Sequence, residues 1–351
     1  MCITVRPKQL ASILSKCITA QLPVLITGAP GVGKSEIVEQ AARVVGADVV
    51  LSHPVVSDPT DAKGLPWKVE GRDAATFLPY GELERALNAA KPTVWFLDDL
   101  GQATPAVQAS FMQLLLARHI NGHALPDCVT FVAATNRRQD RAGVSGVLEP
   151  VKSRFATIVE LMPTMEDWVE WALSNNVSPW VMAFMRFRPE LLHKFTPSPD
   201  MVNSPSPRTW AQASKLLALD LPGDLELAAL AGAVGEGAAG EFVAFLRDAR
   251  ALPDLDAILA SPETAPVPDQ PSTLYAVVSG LASRCTVETF PAIAAYTQRL
   301  GKAGHGEFSV LLLRDASRRE PKTFAMKEFS DVIQADDKKL GSLICGTAGE
   351  G

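Results

Sequence analysis

Apolar residues fall in short β-rich runs that alternate with helical patterns through the first half of the chain, and at helical spacing through the second. Five blocks are strand-like: residues 23–27, 49–52, 93–98, 129–135 and 157–161. Helical patterns alternate with them, which is how a parallel sheet with crossover helices is written. Between the third and fourth blocks the signals for a helix are complete. Thr104 is placed to cap it, Pro105 suits its first position, and Val107, Phe111, Leu114 and Leu115 make its apolar stripe. The pattern stops near Asn121-Gly122, a pair that favours the left-handed conformations of a tight hairpin, placed near residues 118–128.

Residues 59–79 break the alternation. Gly64, Pro66, Gly71 and Pro79 punctuate Leu65, Trp67, Val69 and Phe77, which suits a β-hairpin or exposed loop inserted into the core better than a helix. After Leu161 the strand blocks end, and helical patterns at 167–173 and 209–219 take over. Residues 1–161 therefore read as an α/β core and 162–260 as a mainly helical second domain. The proline-rich stretch 261–272 reads as a linker or an extended crossing. Beyond it, 274–281 and 287–300 are helical in pattern, and the Gly-rich 346–351 reads as a loose tail.

Composition narrows the class without changing this picture. The chain has 351 residues, 47% hydrophobic and 21% charged, which suits a soluble globular protein of two or three domains. No apolar run reaches the roughly 18 residues of a spanning helix, and the apolar segment after Arg6 and Lys8 runs into a Gly-rich loop rather than a cleavage site. A cytoplasmic protein is expected. The five cysteines, Cys2, Cys17, Cys128, Cys285 and Cys345, are scattered without a CxxC pair, so neither a disulfide framework nor a zinc site is expected. A net charge of −6 argues against a general nucleic-acid binder.

The candidate chemistry begins where the first strand block ends. Gly28, Ala29, Pro30, Gly31, Val32, Gly33, Lys34 and Ser35 form a complete GxxxxGK[ST] motif between a strand pattern and a helical one. Its glycines let backbone N–H groups close round phosphates, and the helix N-terminus adds partial positive charge. Lys34 is placed to reach the β- and γ-phosphates and the Ser35 hydroxyl to ligate Mg²⁺. The block Val94-Trp95-Phe96-Leu97 ends in Asp98 and Asp99. Asp98 is expected to hold Mg²⁺, through water, and Asp99 to orient or deprotonate the attacking water. Ala133-Ala134-Thr135 ends in Asn136, which can bond the attacking water or the γ-phosphate if its strand adjoins the one ending at Asp98.

With Ser153-Arg154-Phe155 and Ser206-Pro207-Arg208 added, the order of these motifs resembles the AAA+ ATPases over about residues 8–220. The insert at 59–79 and the hairpin near 118–128 make the chain most similar to the MoxR branch, near the dynein-related ATPases and the magnesium-chelatase motor subunit. The resemblance implies a three-layer αβα P-loop domain with a five-stranded parallel sheet in the order 5-1-4-3-2, a helical lid at 162–260 and a helical extension within 261–351. It assigns Asn136 as the sensor-1 residue and Arg154 as the arginine finger of the neighbouring subunit's site. Arg208 becomes the sensor-2 arginine on a lid helix. An always-charged guanidinium that pairs with two phosphate oxygens suits both arginine roles. The family usually has Asp-Glu where this chain has Asp98-Asp99, so the water-activating side chain is one methylene short.

The implied cofactors are ATP and Mg²⁺. The implied assembly is a homo-oligomeric ring, a hexamer, that remodels or activates a protein client, with a von Willebrand factor A domain protein as the first expected partner. Two alternatives stand beside it. One is a nucleic-acid-linked motor, or a GTPase-type switch of a restriction system. The other is a slow ATP-dependent assembly scaffold, motivated by Asp99. Three further features have two readings each. His119 and His123 have metal-pair spacing, but Asn121-Gly122 breaks the helix that pair needs. Arg137, Arg138 and Arg141 suit a second intersubunit phosphate contact or a solvated basic loop. Trp67 suits a partner contact or packing on its own subunit.

Overall fold

The protein is described from a computed structural model, which covers residues 3–71, 73–140, 146–198, 200–250 and 254–335. The tail at 346–351, Arg141, Cys2 and Cys345 lie outside them. The chain divides into two compact units, one of residues 1–164 with 195–200 and one of residues 165–194 with 201–351.

The first unit is built on strands β1 (Ile3–Val5), β2 (Val24–Thr27), β3 (Asp48–Ser52), β6 (Thr93–Leu97), β9 (Val129–Thr135) and β10 (Thr157–Leu161). They form one sheet in the order β1-β10-β2-β9-β6-β3, parallel at every junction. The five expected strands lie in the expected order 5-1-4-3-2, but the sheet has six strands, not five. β1 extends it beyond β10, pairing Ile3 with Val159 and Val5 with Leu161. Three residues are too few to show a periodicity, and Ile3 is 73% exposed, so no apolar block announced this strand.

The side-chain period of two divides each strand between the two faces. Val94 and Phe96 of β6 face the same way as Ile26, Val132 and Val159, under helices α1 (Pro7–Thr19) and α2 (Lys34–Val44). Trp95 and Leu97 face the other way with Leu25, Phe131 and Ala133, under α3 (Pro59–Lys63), α4 (Gly81–Leu87), α5 (Pro105–Ala117) and α6 (Glu149–Lys152). Trp95 is fully buried, stacks on Phe131 at 5.3 Å and meets Phe111 of α5 edge-on at 5.9 Å. The central strands β2, β6 and β9 are buried on both faces, which is why they read as nearly continuous apolar runs.

α5 starts as its sequence dictates, with Pro105 at its first position and the Thr104 hydroxyl accepting from the Val107 N–H at 3.4 Å. Hairpin β7 (His119–Ile120) and β8 (His123–Ala124) turns at Asn121 and Gly122, both at positive φ. The segment 59–79 is part helix and part hairpin. Asp58 caps the short α3 in a reciprocal capping box with Asp61, and β4 (Leu65–Lys68) then pairs with β5 (Ala75–Leu78). The two insertions touch: Asn121 Nδ2 donates to the Lys63 carbonyl at 2.8 Å, and a ring nitrogen of His123 lies 3.0 Å from the Phe77 carbonyl. Trp67, on β4, is 63% exposed.

The second unit is helical: α7 (Met165–Ser174), α8 (Pro179–Phe187), α9 (Pro207–Leu217), α10 (Gly223–Val234), α11 (Glu236–Arg250), α12 (Leu255–Ala260), α13 (Pro271–Ser283), α14 (Phe290–Lys302), α15 (Gly306–Arg319) and α16 (Lys327–Ala335). It holds two hydrophobic clusters. One gathers Phe184, Trp210 and Phe242 from α8, α9 and α11; the other gathers Val277, Tyr296, Leu312 and Val332 from α13 to α16. The proline-rich 261–272 is a turn over 261–265, an irregular stretch over 266–270 and then the start of α13 at Pro271, with Ala265 packed in the second cluster. Arg299 donates to the carbonyls of Ala265 and Glu263, each at 2.6 Å, and Tyr296 Oη to that of Pro266 at 2.9 Å. Among the described residues no helix is long and apolar enough to cross a membrane.

Candidate functional site

Parallel strands deliver the residues after them to one edge of the sheet, and here β2, β6 and β9, adjacent in the order β2-β9-β6, end together. β2 runs into Gly28–Ser35, β6 into Asp98 and Asp99, and β9 into Asn136. The adjacency on which the role of Asn136 depended is therefore present.

The loop between β2 and α2 has the backbone that phosphate binding requires. Gly31 and Gly33 have φ of 75° and 96°, where side chains are disfavoured, and Gly33 caps α2 with no side-chain bond at that helix start. A helix N-terminus that no side chain caps is the kind of end that receives a phosphate. Gly28 is needed for closeness instead: a Cβ there would lie 3.0 Å from the Leu161 carbonyl oxygen at the end of β10.

Lys34, Asn136 and Asp99 form a chain of contacts. Lys34 Nζ donates to Asn136 Oδ1 at 2.7 Å and to the carbonyls of Gly28 and Ala29 at 3.1 and 3.0 Å. Asn136 Nδ2 in turn donates to Asp99 Oδ1 at 3.3 Å. Beside them Ser35 Oγ donates to Asp98 Oδ2 at 2.6 Å, and the Asp99 N–H to Asp98 Oδ1 at 3.0 Å. Lys34 is buried, while Ser35, Asp98, Asp99 and Asn136 are half-buried. Asp99 is left-handed, with φ 58° and ψ 33°, a conformation Asp tolerates better than most residues.

The donor set fits Mg²⁺ bound with a nucleotide. Ser35 and Asp98 present a hydroxyl and a carboxylate side by side, hard oxygen donors of the kind Mg²⁺ takes. Among the described residues no three His, Cys, Asp or Glu side chains gather as a metal-holding group. Further ligands would come from phosphate and water, as is usual for Mg²⁺ at nucleotide sites.

The arginines divide. Arg154 comes just after α6 and folds back on it: its Nη1 donates to the Pro150 carbonyl and lies 3.4 Å from Ser153 Oγ, while its Nε is buried without a hydrogen-bond partner. Arg208 belongs to the second unit, exposed at the second position of α9, just past the Ser206 cap. Arg137 is committed within its own unit. Its Nε and Nη2 each meet the Asp140 carboxylate at 2.9 Å, and its Nη1 meets Glu160 Oε1 at 3.1 Å. The Asp140 hydrogen bonds raise its pKa, burial opposes them, and Glu160 adds to the rise. Sequence reasoning missed Glu160 and Asp140, although an acid inside the apolar block Thr157–Leu161 was a visible signal.

A match to a family model falls on the segment that holds Gly28 to Asn136. Residues 23–155 match the family model for the AAA domain, dynein-related subfamily. The chain is 28% identical to Chaperone MoxR1 of Mycobacterium tuberculosis over 163 residues, which is 44% of this chain and 41% of that protein. It thus matches less than half the length of that relative. Similar solved structures include a point mutant of RuvB from Thermotoga maritima, at 18% identity and a TM-score of 0.41, covering 85% of this chain and 87% of the other. NtrX from Brucella abortus in complex with ATP is similar at 13% identity and a TM-score of 0.41, covering 95% of this chain and 67% of the other. Residues 23–155 match an AAA domain of the dynein-related subfamily, and the chain that carries them resembles AAA+ proteins of the MoxR type.

Proposed function

We propose that this chain hydrolyses ATP at sites completed by a neighbouring copy of itself, and that the cycle remodels or activates a protein partner. The observation that supports it is the convergence of Lys34, Ser35, Asp98, Asp99 and Asn136 at one sheet edge, within a chain of contacts of 2.6 to 3.3 Å.

Backbone N–H groups of Gly28–Ser35 cradle the phosphates, and Lys34 exchanges its carbonyl and Asn136 partners for phosphate oxygens. Ser35 and Asp98 hold Mg²⁺, which neutralises charge on the phosphates when bound. Asp99 orients the attacking water and takes its proton, with Asn136 fixing the Asp99 carboxylate. Arg154 leaves its fold on α6 to pair with the terminal phosphate in the next subunit, and Arg208 supplies a second guanidinium. A ring, hexameric in this reading, supplies each site with its neighbour's Arg154. The partner is a protein carrying a von Willebrand factor A domain.

The test is subunit mixing. Arg154→Ala should bind ATP but not hydrolyse it, and Lys34→Ala should fail to bind. Mixed, they should recover part of the wild-type rate, because each Lys34→Ala subunit lends Arg154 to a neighbour with an intact phosphate loop. A finger supplied in trans is worth about 10³–10⁵ in rate in other nucleotide hydrolases. No recovery at any ratio would refute a shared site. Turnover below about 0.01 per second in the assembled protein, against a typical enzyme's ~10, would favour the slow scaffold instead.

A further inference from the structure

We infer that Arg137 is a positioning residue whose guanidinium straps the strand carrying Asn136 to β10, across the root of the phosphate loop. The inference rests on the ATPase reading for its kinetic arm and on geometry alone for its second arm.

The strap is a consequence of strand order. β2 lies between β9 and β10, so a link from Arg137 to Glu160 spans two strand spacings, about 10 Å. The register places it: Thr27, the last residue of β2, pairs with Thr135 on one side and Glu160 on the other. Arg137 comes two residues after Thr135, and the link crosses β2 where the chain leaves for Gly28. Glu160 lies on the opposite face of β10 from Val159 and Leu161, the face that Leu25 and Ala133 share on β2 and β9. The other end of the fork is tied to Asp140, itself buried, in a turn whose N–H bonds the Arg137 carbonyl at 3.1 Å.

Two working parts of the site meet this strap. Asn136 is the residue immediately before Arg137. Leu161, immediately after Glu160, presents its carbonyl to Gly28 so closely that a Cβ there would sit 3.0 Å away. The strap therefore holds Asn136 and the first glycine of the phosphate loop in one frame. Three of its N–H donors are taken by two carboxylates, a pairing a planar fork makes and an ammonium does not. With those bonds made, Arg137 is not free to reach a phosphate in a neighbouring copy.

The test uses the full chain in its assembled, hydrolysing form. Arg137→Gln should lower kcat by about 10- to 100-fold, the scale of a 1 Å misplacement, with nucleotide Kd changed less than about threefold. Glu160→Gln should lower kcat in the same direction, and the double variant should be no worse than Arg137→Gln alone. Arg137→Lys should recover only part of the loss. Unchanged kcat, a loss carried wholly by Kd, or additive losses would overturn the strap. A loss in Arg137→Gln with none in Glu160→Gln would assign the arginine to another subunit and overturn it equally.

Amide hydrogen exchange separates this inference from the ATPase reading, because it needs no turnover. Both Arg137→Gln and Glu160→Gln should speed exchange in the segment 133–140 and in the segment 24–33 together, leaving 48–52 as in the wild type. Exchange unchanged in either of the first two segments would refute the strap even in an inactive chain. If Arg137→Gln does not fold, Glu160→Gln carries both measurements.

Discussion

At the scale of single residues, the site was legible where its chemistry is contiguous and hidden where it is not. Gly28–Ser35 carries strand end, turn, cation and hydroxyl in eight successive residues, so the motif alone placed it. Asp98 and Asp99 needed only the apolar block before them. Asn136 needed the adjacency of two strands that are well separated in the chain, and the structure supplies it through β6 beside β9. Glu160 could not be found this way, since its partner Arg137 is reached across an intervening strand. Asp99 carries the sharpest residue-scale prediction. Its carboxylate, one methylene shorter than the family's usual Glu, is aimed by a left-handed backbone and held by Asn136 Nδ2. Asp99→Asn preserves size and backbone preference but removes the carboxylate proposed as the base. Hydrolysis should fall by about 10²–10⁴-fold while ATP is still bound. An Asp99→Asn variant that turns over ATP at the wild-type rate, measured by phosphate release, would move the base elsewhere.

At the scale of elements, burial on both faces made β2, β6 and β9 plain, β3 and β10 showed as shorter mixed runs, and the sixth strand left no signal. β1 has a single buried residue, Val5, so its pairing with β10 left no pattern in the sequence. The start of α3 was a different omission: Asp58-Pro59 with Asp61 three residues on is a capping-box signature, and the glycines and prolines after it outweighed it in the reading of 59–79 as hairpin or loop. Gln108 shows what a helix interior can hide. It is fully buried on α5, where the apolar stripe suggested nothing polar. Its Nε2 donates to the carbonyls of Ala103 and Gly146, at 3.0 and 2.9 Å, and its Oε1 accepts from the Leu148 N–H at 2.9 Å. It thereby ties the turn after Asp99 to the segment leading into α6 and Arg154. Gln108→Leu keeps the volume and strands three backbone groups, at about 2–4 kcal/mol of stability. Gln113→Leu, on the exposed side of the same helix, should stay within about 0.5 kcal/mol. Urea unfolding midpoints of the two variants compare them directly, and equal midpoints would show that these bonds contribute nothing.

At the scale of the whole molecule, the helices after Leu161 form one compact unit with two hydrophobic clusters rather than a series of loose appendages. Charged groups inside it join the clusters: Arg186 of α8 pairs with Asp315 of α15, with both side chains at least nine-tenths buried, and Arg319 Nη1 donates to the Leu173 carbonyl at 3.0 Å. Sequence patterns showed the helices but not these links, because an ion pair between residues 186 and 315 has no local signature. The cluster of α13 to α16 also buries two groups that resist ionising. Burial pushes the Tyr296 hydroxyl up from 10.0 to about 12 and the Cys285 thiol up from 9.0 to about 12. Both are neutral when protonated, so the folded unit binds the proton more tightly than the unfolded chain does. The stability this represents is complete below the unfolded pKa and is lost as pH rises through the folded one. For Tyr296 the window runs from about 10 to about 12. Ionisation there also removes the donor that its hydroxyl gives to the Pro266 carbonyl. Other lysines and tyrosines titrate in the same range, so the difference between wild type and Tyr296→Phe isolates this one group. At pH 8 the wild type should melt higher, because the variant leaves the Pro266 carbonyl without its tyrosine donor. That advantage should shrink steadily above about pH 10 and vanish near 12. A constant difference in Tm from pH 8 to pH 12 would mean that Tyr296 titrates alike in the folded and unfolded chain, and that the α13 to α16 cluster is open to water at its centre.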